Sequence, residues 1–212
     1  MSPTSRAANM PTVSMPIAGL QRILGLLADD DYDVFGPVVR DGAIVVRPLA
    51  SVEDLPLGAT TTAAPGHVEL RSRNDRARFG WALPAQSWKP LVHPPRVRTM
   101  TMHHSTTEQT VSVAVAGRRP RRHAFVGVRP CELAALERLD TVLVERPATP
   151  EPTYQALRGD TFLVVVNCGW PADTCFGTSM DTGPHVESRS LAPDLEVTEL
   201  VDAADTAADP RY

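Results

Sequence analysis

The chain holds three cysteines, Cys131, Cys168 and Cys175, and these are its most reactive side chains. Thiolates select zinc, copper(I) or iron–sulfur clusters. Tetrahedral zinc or a cubane cluster takes four ligands, so three thiols leave one position to another donor. The Cys168–Cys175 spacing is not that of a zinc finger. Read as packing residues, cysteines are small, apolar and prefer burial. Read as a nucleophile, Cys131 opens a helical pattern, where the dipole favours thiolate, and Arg129 lies close by in sequence. Glu132 works the other way, and a base would have to come from His103, His104 or His123, none tied to Cys131 by spacing.

The elements that must position these thiols are two short apolar runs. Residues 162–166, Phe-Leu-Val-Val-Val, read as a buried strand that ends in Asn167 and then Cys168. Residues 124–128 read as a second strand, followed by Cys131 and a helix over 132–139 with Leu133, Leu136 and Leu139 on one face. Cys175 lies in a loop rich in Gly, Thr, Ser, Asp and Pro. All three thiols therefore fall beyond strand ends, where open α/β sheets bind ligands. Arg129 is read either as a charge partner of a thiolate site or as a surface salt bridge. Asn167 is read as a cofactor contact or, more simply, as a loop cap. Trp81 and Trp88 are expected to be core or interface anchors.

The rest of the chain frames these elements. Residues 1–16 mix Ser, Thr, Ala, Asn and Pro and are expected to be disordered. Leu20, Ile23, Leu24 and Leu27 predict an amphipathic helix over 17–30. Strands are expected at 32–39 and 43–48 with a hairpin connection at Arg40-Asp41-Gly42, and at 67–71, 79–83, 111–116 and 141–144. Ser51 with Asp54 fits a capped turn, 58–66 a loop, and 154–158 a helical turn. Residues 97–109 show no clear period. The arginines of 118–122 are expected in a solvated loop. An acidic tail occupies 202–212. The expected fold is α/β, a mixed sheet with helices, as a single domain over 17–201.

Composition narrows the function classes. With 212 residues there is length for one good core. A net charge of −4 gives no overall footprint for nucleic acid or an anionic membrane. No apolar run is long enough to cross a bilayer, and no secretory leader pattern opens the chain. Three cysteines do not suit a disulfide framework, so a reducing, cytoplasmic setting is expected.

Several separated segments carry a family resemblance. Gly127-Val128-Arg129-Pro130-Cys131-Glu132-Leu133-Ala134-Ala135-Leu136 resembles a GVR-x-CDLAAI segment, and Val166-Asn167-Cys168 resembles an NC motif. Thr174-Cys175-Phe176, Thr178-Ser179-Met180 and Thr182-Gly183-Pro184 resemble TCFC-x-SMGTGP, and Asp194-Leu195 with Thr198-Glu199-Leu200 resembles DLALTEL. Upstream, Gly36-Pro37-Val38, residues 54–58, Phe79-Gly80, Ser87-Trp88-Lys89 and Pro94-Pro95-Arg96 also fit. The family is that of the iron–sulfur β subunits of sulfhydrogenase-type cytoplasmic nickel–iron hydrogenases and the A subunit of anaerobic sulfite reductase.

The resemblance implies an electron-transfer subunit with Cys131, Cys168 and Cys175 as three of four ligands to a 4Fe-4S or 3Fe-4S cluster. It implies as partners a flavin-bearing NAD(P)H oxidoreductase subunit and a hydrogenase or reductase subunit. Two departures stand out. Gly177 occupies the family's fourth cysteine position, and Asp181 replaces a glycine. The family's C-terminal domain with two ferredoxin-type cluster motifs is not in this sequence, so a separate ferredoxin-like chain would have to supply that relay. A cluster-free docking or assembly subunit is the alternative.

Overall fold

A computed structural model describes residues 12–105, 107, 109–115, 121–186 and 191–201. The elements in chain order are α1 (Ile17–Asp29), β1 (Tyr32–Arg40), β2 (Ala43–Pro48), β3 (Ala59–Ala64), β4 (His67–Ser72), α2 (Lys89–Val92), β5 (Met100–Ser105) and β6 (Thr110–Val115). They continue with β7 (Arg122–Val128), α3 (Pro130–Asp140), α4 (Pro152–Gly159), β8 (Phe162–Val166) and β9 (Leu195–Val197). Residues 1–11 and the acidic tail 202–212, on which expectations were placed, lie outside the described residues.

A five-stranded mixed sheet in the order β2-β1-β7-β8-β9 forms the centre. β1 and β2 are antiparallel, joined at Asp41 and Gly42, both at positive φ as a two-residue hairpin turn requires. The β1–β7, β7–β8 and β8–β9 pairs are parallel. This is the expected α/β architecture. Alternation assigns the faces. Ala124, Val126, Val164 and Val166 face Leu20, Leu24 and Leu27 of α1, with Phe79 and Trp81. Phe125, Val128, Leu163 and Val165 face α3 and α4 through Leu133, Leu136 and Tyr154, with Trp88. Each such aliphatic side chain, fully removed from water, contributes roughly 1.5–3 kcal/mol. Both tryptophans are core anchors, as expected.

The alternation breaks once, and the break positions the site. β7 and β8 shift register between Val126 and Val128, a bulge at Gly127 with φ +89°. A Cβ there would meet Phe79 Cε1 at 3.0 Å and Pro37 Cδ at 3.1 Å, so glycine is required on two counts. The extra residue turns Val128 toward α3. Arg129 then points to the opposite face, against Phe79 and Trp81.

Four expectations need correction. Residues 58–66 are not all loop: 59–64 form β3, paired with β4. Residues 100–105, without a clear period, form β5, paired with β6 in a separate ribbon. Residues 141–144 are not a strand but part of a π-helical turn, Thr141–Glu145, that continues α3. Residues 79–83 form no strand, although 79–82 are buried. Their backbone groups are taken by side chains instead: the Phe79 N–H donates to Glu199 Oε2, and the Phe79 and Trp81 carbonyls accept from Arg129. Of the basic run, residues 118–120 lie outside the described residues, and Arg122 begins β7.

Candidate functional site

β7 and β8 are parallel neighbours, so their C-terminal ends open on the same sheet edge. Cys131 follows the first, in the opening turn of α3, and Cys168 follows the second; both are half-buried. Cys175 is exposed on the long connection from β8 to β9. Proline at the first position of α3 suits a helix start, and the Arg129 N–H donates to Glu132 Oε2 at 2.9 Å, closing the cap. Cys131 is thereby fixed by a strand end and a capped helix together.

Between the two strand ends lies Arg129, only 1% exposed. Its guanidinium donates to four backbone carbonyls: Phe79 at 2.7 Å, Trp81 at 2.5 Å, Asn167 at 3.2 Å and Val166 at 3.5 Å. It also lies 4.4 Å above the Trp81 ring. Its Nε has no partner, and among the described residues no carboxylate stands at salt-bridge distance. Burial lowers its pKa, while Cys168, Glu132, Glu199 and Cys131 draw it back up. The surface salt-bridge alternative is therefore replaced: Arg129 is a buried cation held by neutral dipoles.

The same burial acts on the thiol. Burial pushes Cys131 up to about 11, and the charges of Glu132, Cys168 and Cys175 add to it. The helix-start dipole does not prevail, because the thiol sits in a half-buried pocket beside a carboxylate. Burial also raises Glu132 to about 7, against its bond from the Arg129 N–H and the Arg129 charge. No histidine compensates: His123 begins β7, on the order of 20 Å from the strand's far end at 3.3 Å per residue. His103 and His104 belong to the β5–β6 ribbon. The Cys131 thiol thus has a raised rather than a lowered pKa.

Asn167 is buried and fully engaged. Its Nδ2 donates to Glu196 Oε1 at 2.8 Å and Thr198 Oγ1 at 2.9 Å, and its Oδ1 accepts from the Val186 N–H at 3.1 Å. It ties the end of β8 to β9 and to the far end of the connecting loop. The Cys168 N–H donates to the Pro184 carbonyl at 2.9 Å, closing the loop at its root. Within the loop the Cys175 N–H donates to the Ala172 carbonyl, and the Ala172 N–H points at Cys175 Sγ at 3.3 Å. Gly177 opens a 3-10 turn, Thr178–Met180, and its carbonyl accepts from Thr182 N–H and Oγ1. Phe176 and Met180 stand out from this loop, 70% and 62% exposed.

The thiols therefore share one edge and one electrostatic environment, with Cys175 on the outer loop. Among the described residues, no three His, Cys, Asp or Glu side chains converge closely enough to hold a metal ion. The donor chemistry nonetheless fits an anionic thiolate-held group: two soft donors, Cys131 and Cys168, act on a buried cation whose Nε has no partner, and Cys175 lies on the outer loop. Sequence reasoning named Arg129 and Asn167; it read Glu132 only as a charge beside Cys131 and Glu199 only within a resemblance, not as acceptors of backbone N–H groups. Both are recognisable only once the structure shows which backbone N–H groups they accept from. Comparison with known protein families, with curated proteins and with solved structures found no match.

Proposed function

We propose that this chain is an iron–sulfur electron-transfer subunit of a multi-subunit cytoplasmic oxidoreductase of hydrogenase or sulfite-reductase type. Cys131, Cys168 and Cys175 would hold the cluster. The observation that carries this reading is Arg129, a guanidinium buried beside two of the thiols with four carbonyl partners and, among the described residues, no carboxylate at salt-bridge distance. A buried cation that no carboxylate contacts directly is costly, and a thiolate site adds negative charge beside it. A bound cluster supplies one-electron redox chemistry, with a potential set by charge, burial and hydrogen bonds.

The chain's own residues would do the rest. Cys131 releases its proton on binding, so loading is proton-coupled and favoured at higher pH. Arg129 then offsets the thiolate charge of Cys131 and Cys168 and favours the reduced state. Asn167 and the Cys168–Pro184 bond hold the loop root, and the loop would have to bring the exposed Cys175 inward. Phe176 and Met180 present an apolar surface beside Cys175 through which a flavin-bearing subunit or a reductase subunit would approach. No described helix is long and apolar enough to cross a membrane.

A second reading is a cluster-free docking or assembly subunit. It is favoured by Gly177 at the fourth ligand position and by the absence of a converged donor group among the described residues. Iron and acid-labile sulfide after anaerobic purification separate the two. The electron-carrier reading expects a brown protein whose iron is lost in Cys168→Ser. A colourless protein that takes up neither iron nor sulfide on reconstitution overturns it in favour of the docking subunit.

A further inference from the structure

The β5–β6 ribbon forms a separate two-stranded sheet and presents a face that, among the described residues, nothing covers. Its register sets Met102 against Val113 and His104 against Val111. By strand alternation Met100, Met102, Val111 and Val113 share one face. All four are more than half exposed, Met102 at 63%. A two-stranded ribbon alone is marginally stable in water, and an uncovered apolar face adds to that cost. The opposite face is the polar one, and there Thr101 and Ser105 are half-buried.

Charge says what kind of surface covers it. The chain as a whole carries −4, yet residues 93–123 contain six arginines and a single acid, Glu108. Arg96 and Arg98, both exposed, lead into β5, and Arg118 and Arg119 follow β6 in sequence. Arg121 and Arg122 are already paired, with Asp33 and Asp30. Two exposed arginines thus lead into the apolar strip, on a protein of net charge −4.

We infer that the β5–β6 ribbon is a docking arm for a partner protein whose surface offers an apolar strip flanked by Asp and Glu. A second copy of this chain would bring the same arginines face to face. An anionic lipid surface would meet a patch without aromatic rings, strands connected through the polar Thr106-Thr107-Glu108-Gln109, and an acidic remainder that it repels. Nucleic acid has no use for the Met and Val strip. The inference stands whether or not a cluster is bound, because the ribbon and the thiols are separate regions and iron content reads only the latter.

The test is a photo-reactive residue at Met102 in the full chain, expressed in its own cells, with Val68 on the other ribbon as the control position. The expected result is a cross-link from Met102, and not from Val68, that peptide mapping places on one protein, at apolar residues beside acidic ones. Arg96→Glu with Arg98→Glu, both surface changes, should lower its yield about tenfold. Glu→Arg changes at the mapped acids should restore it. Cross-links to a second copy, co-sedimentation with phosphatidylserine vesicles, retention on duplex DNA, or a Met102 yield no higher than that of Val68 would each overturn the inference.

Discussion

The two halves of the thiol site are built by different means. Arg129–Cys131 and Val166–Cys168 continue buried parallel strands, and their positions follow from sheet register, a glycine bulge and a capped helix. The stretch from Gly169 to Pro184 has one short 3-10 turn and is shaped by local hydrogen bonds, with its side chains largely exposed. The first half is preorganised by the core; the second is tied mainly at its root. A site of this kind presents two fixed thiols and one adaptable thiol, and the adaptable one lies on the approach side.

The largest expected effect falls on the preorganised half. Arg129→Met leaves the Phe79, Trp81 and Asn167 carbonyls without their donor and unpins residues 79–82 from the sheet. A loss of about 3–5 kcal/mol is expected from denaturant unfolding. Arg129→Lys should recover little of it, because one ammonium cannot span carbonyls on two segments. A loss under about 1 kcal/mol would show that the guanidinium organises nothing.

Asn167→Ala tests the joint between the halves. It removes the bonds to Glu196, Thr198 and Val186 and should cost about 1–3 kcal/mol. It should also raise amide exchange in the 169–186 loop while leaving β7 protected. Exchange that rises equally in β7 would mean that the two halves are one cooperative unit.

The smallest effect belongs to the far end of β7. His123 packs on Phe35 and Phe125, and burial lowers its pKa below 6.5 against the raising effect of Asp33. A histidine held neutral in the folded state binds fewer protons than in the unfolded state, so stability falls as pH drops below about 6.5. His123→Phe should flatten that part of the stability–pH curve and leave the thiol site untouched. An unchanged slope would assign it to other groups.

The same contrast explains what the sequence discloses. β7, β8, α1 and α3 are legible because uninterrupted or periodic apolar residues have no other stable arrangement. Residues 79–83 look like a strand because they are apolar. Their backbone partners, however, are Arg129 and Glu199, distant in sequence and invisible to any local pattern. Residues 141–144 are β-branched or apolar, but the preceding helix runs on through them. β5 carries no burial period because its apolar face is not buried within the chain. For the site, thiols beyond strand ends were readable; the burial of Arg129 and the upward push on Cys131 were not, since both depend on a one-residue bulge at Gly127.

The most direct measurement is iron and sulfide content, with EPR, of the reconstituted protein beside Gly177→Cys. Gly177 has helical backbone angles, and a Cβ there would lie 3.4 Å from Thr182 Oγ1, an ordinary contact, so a cysteine fits. The account expects about three irons per chain in the natural sequence, with an oxidised three-iron EPR signal, and about four in the variant, with that signal gone. Iron-free, EPR-silent protein in both cases would contradict it.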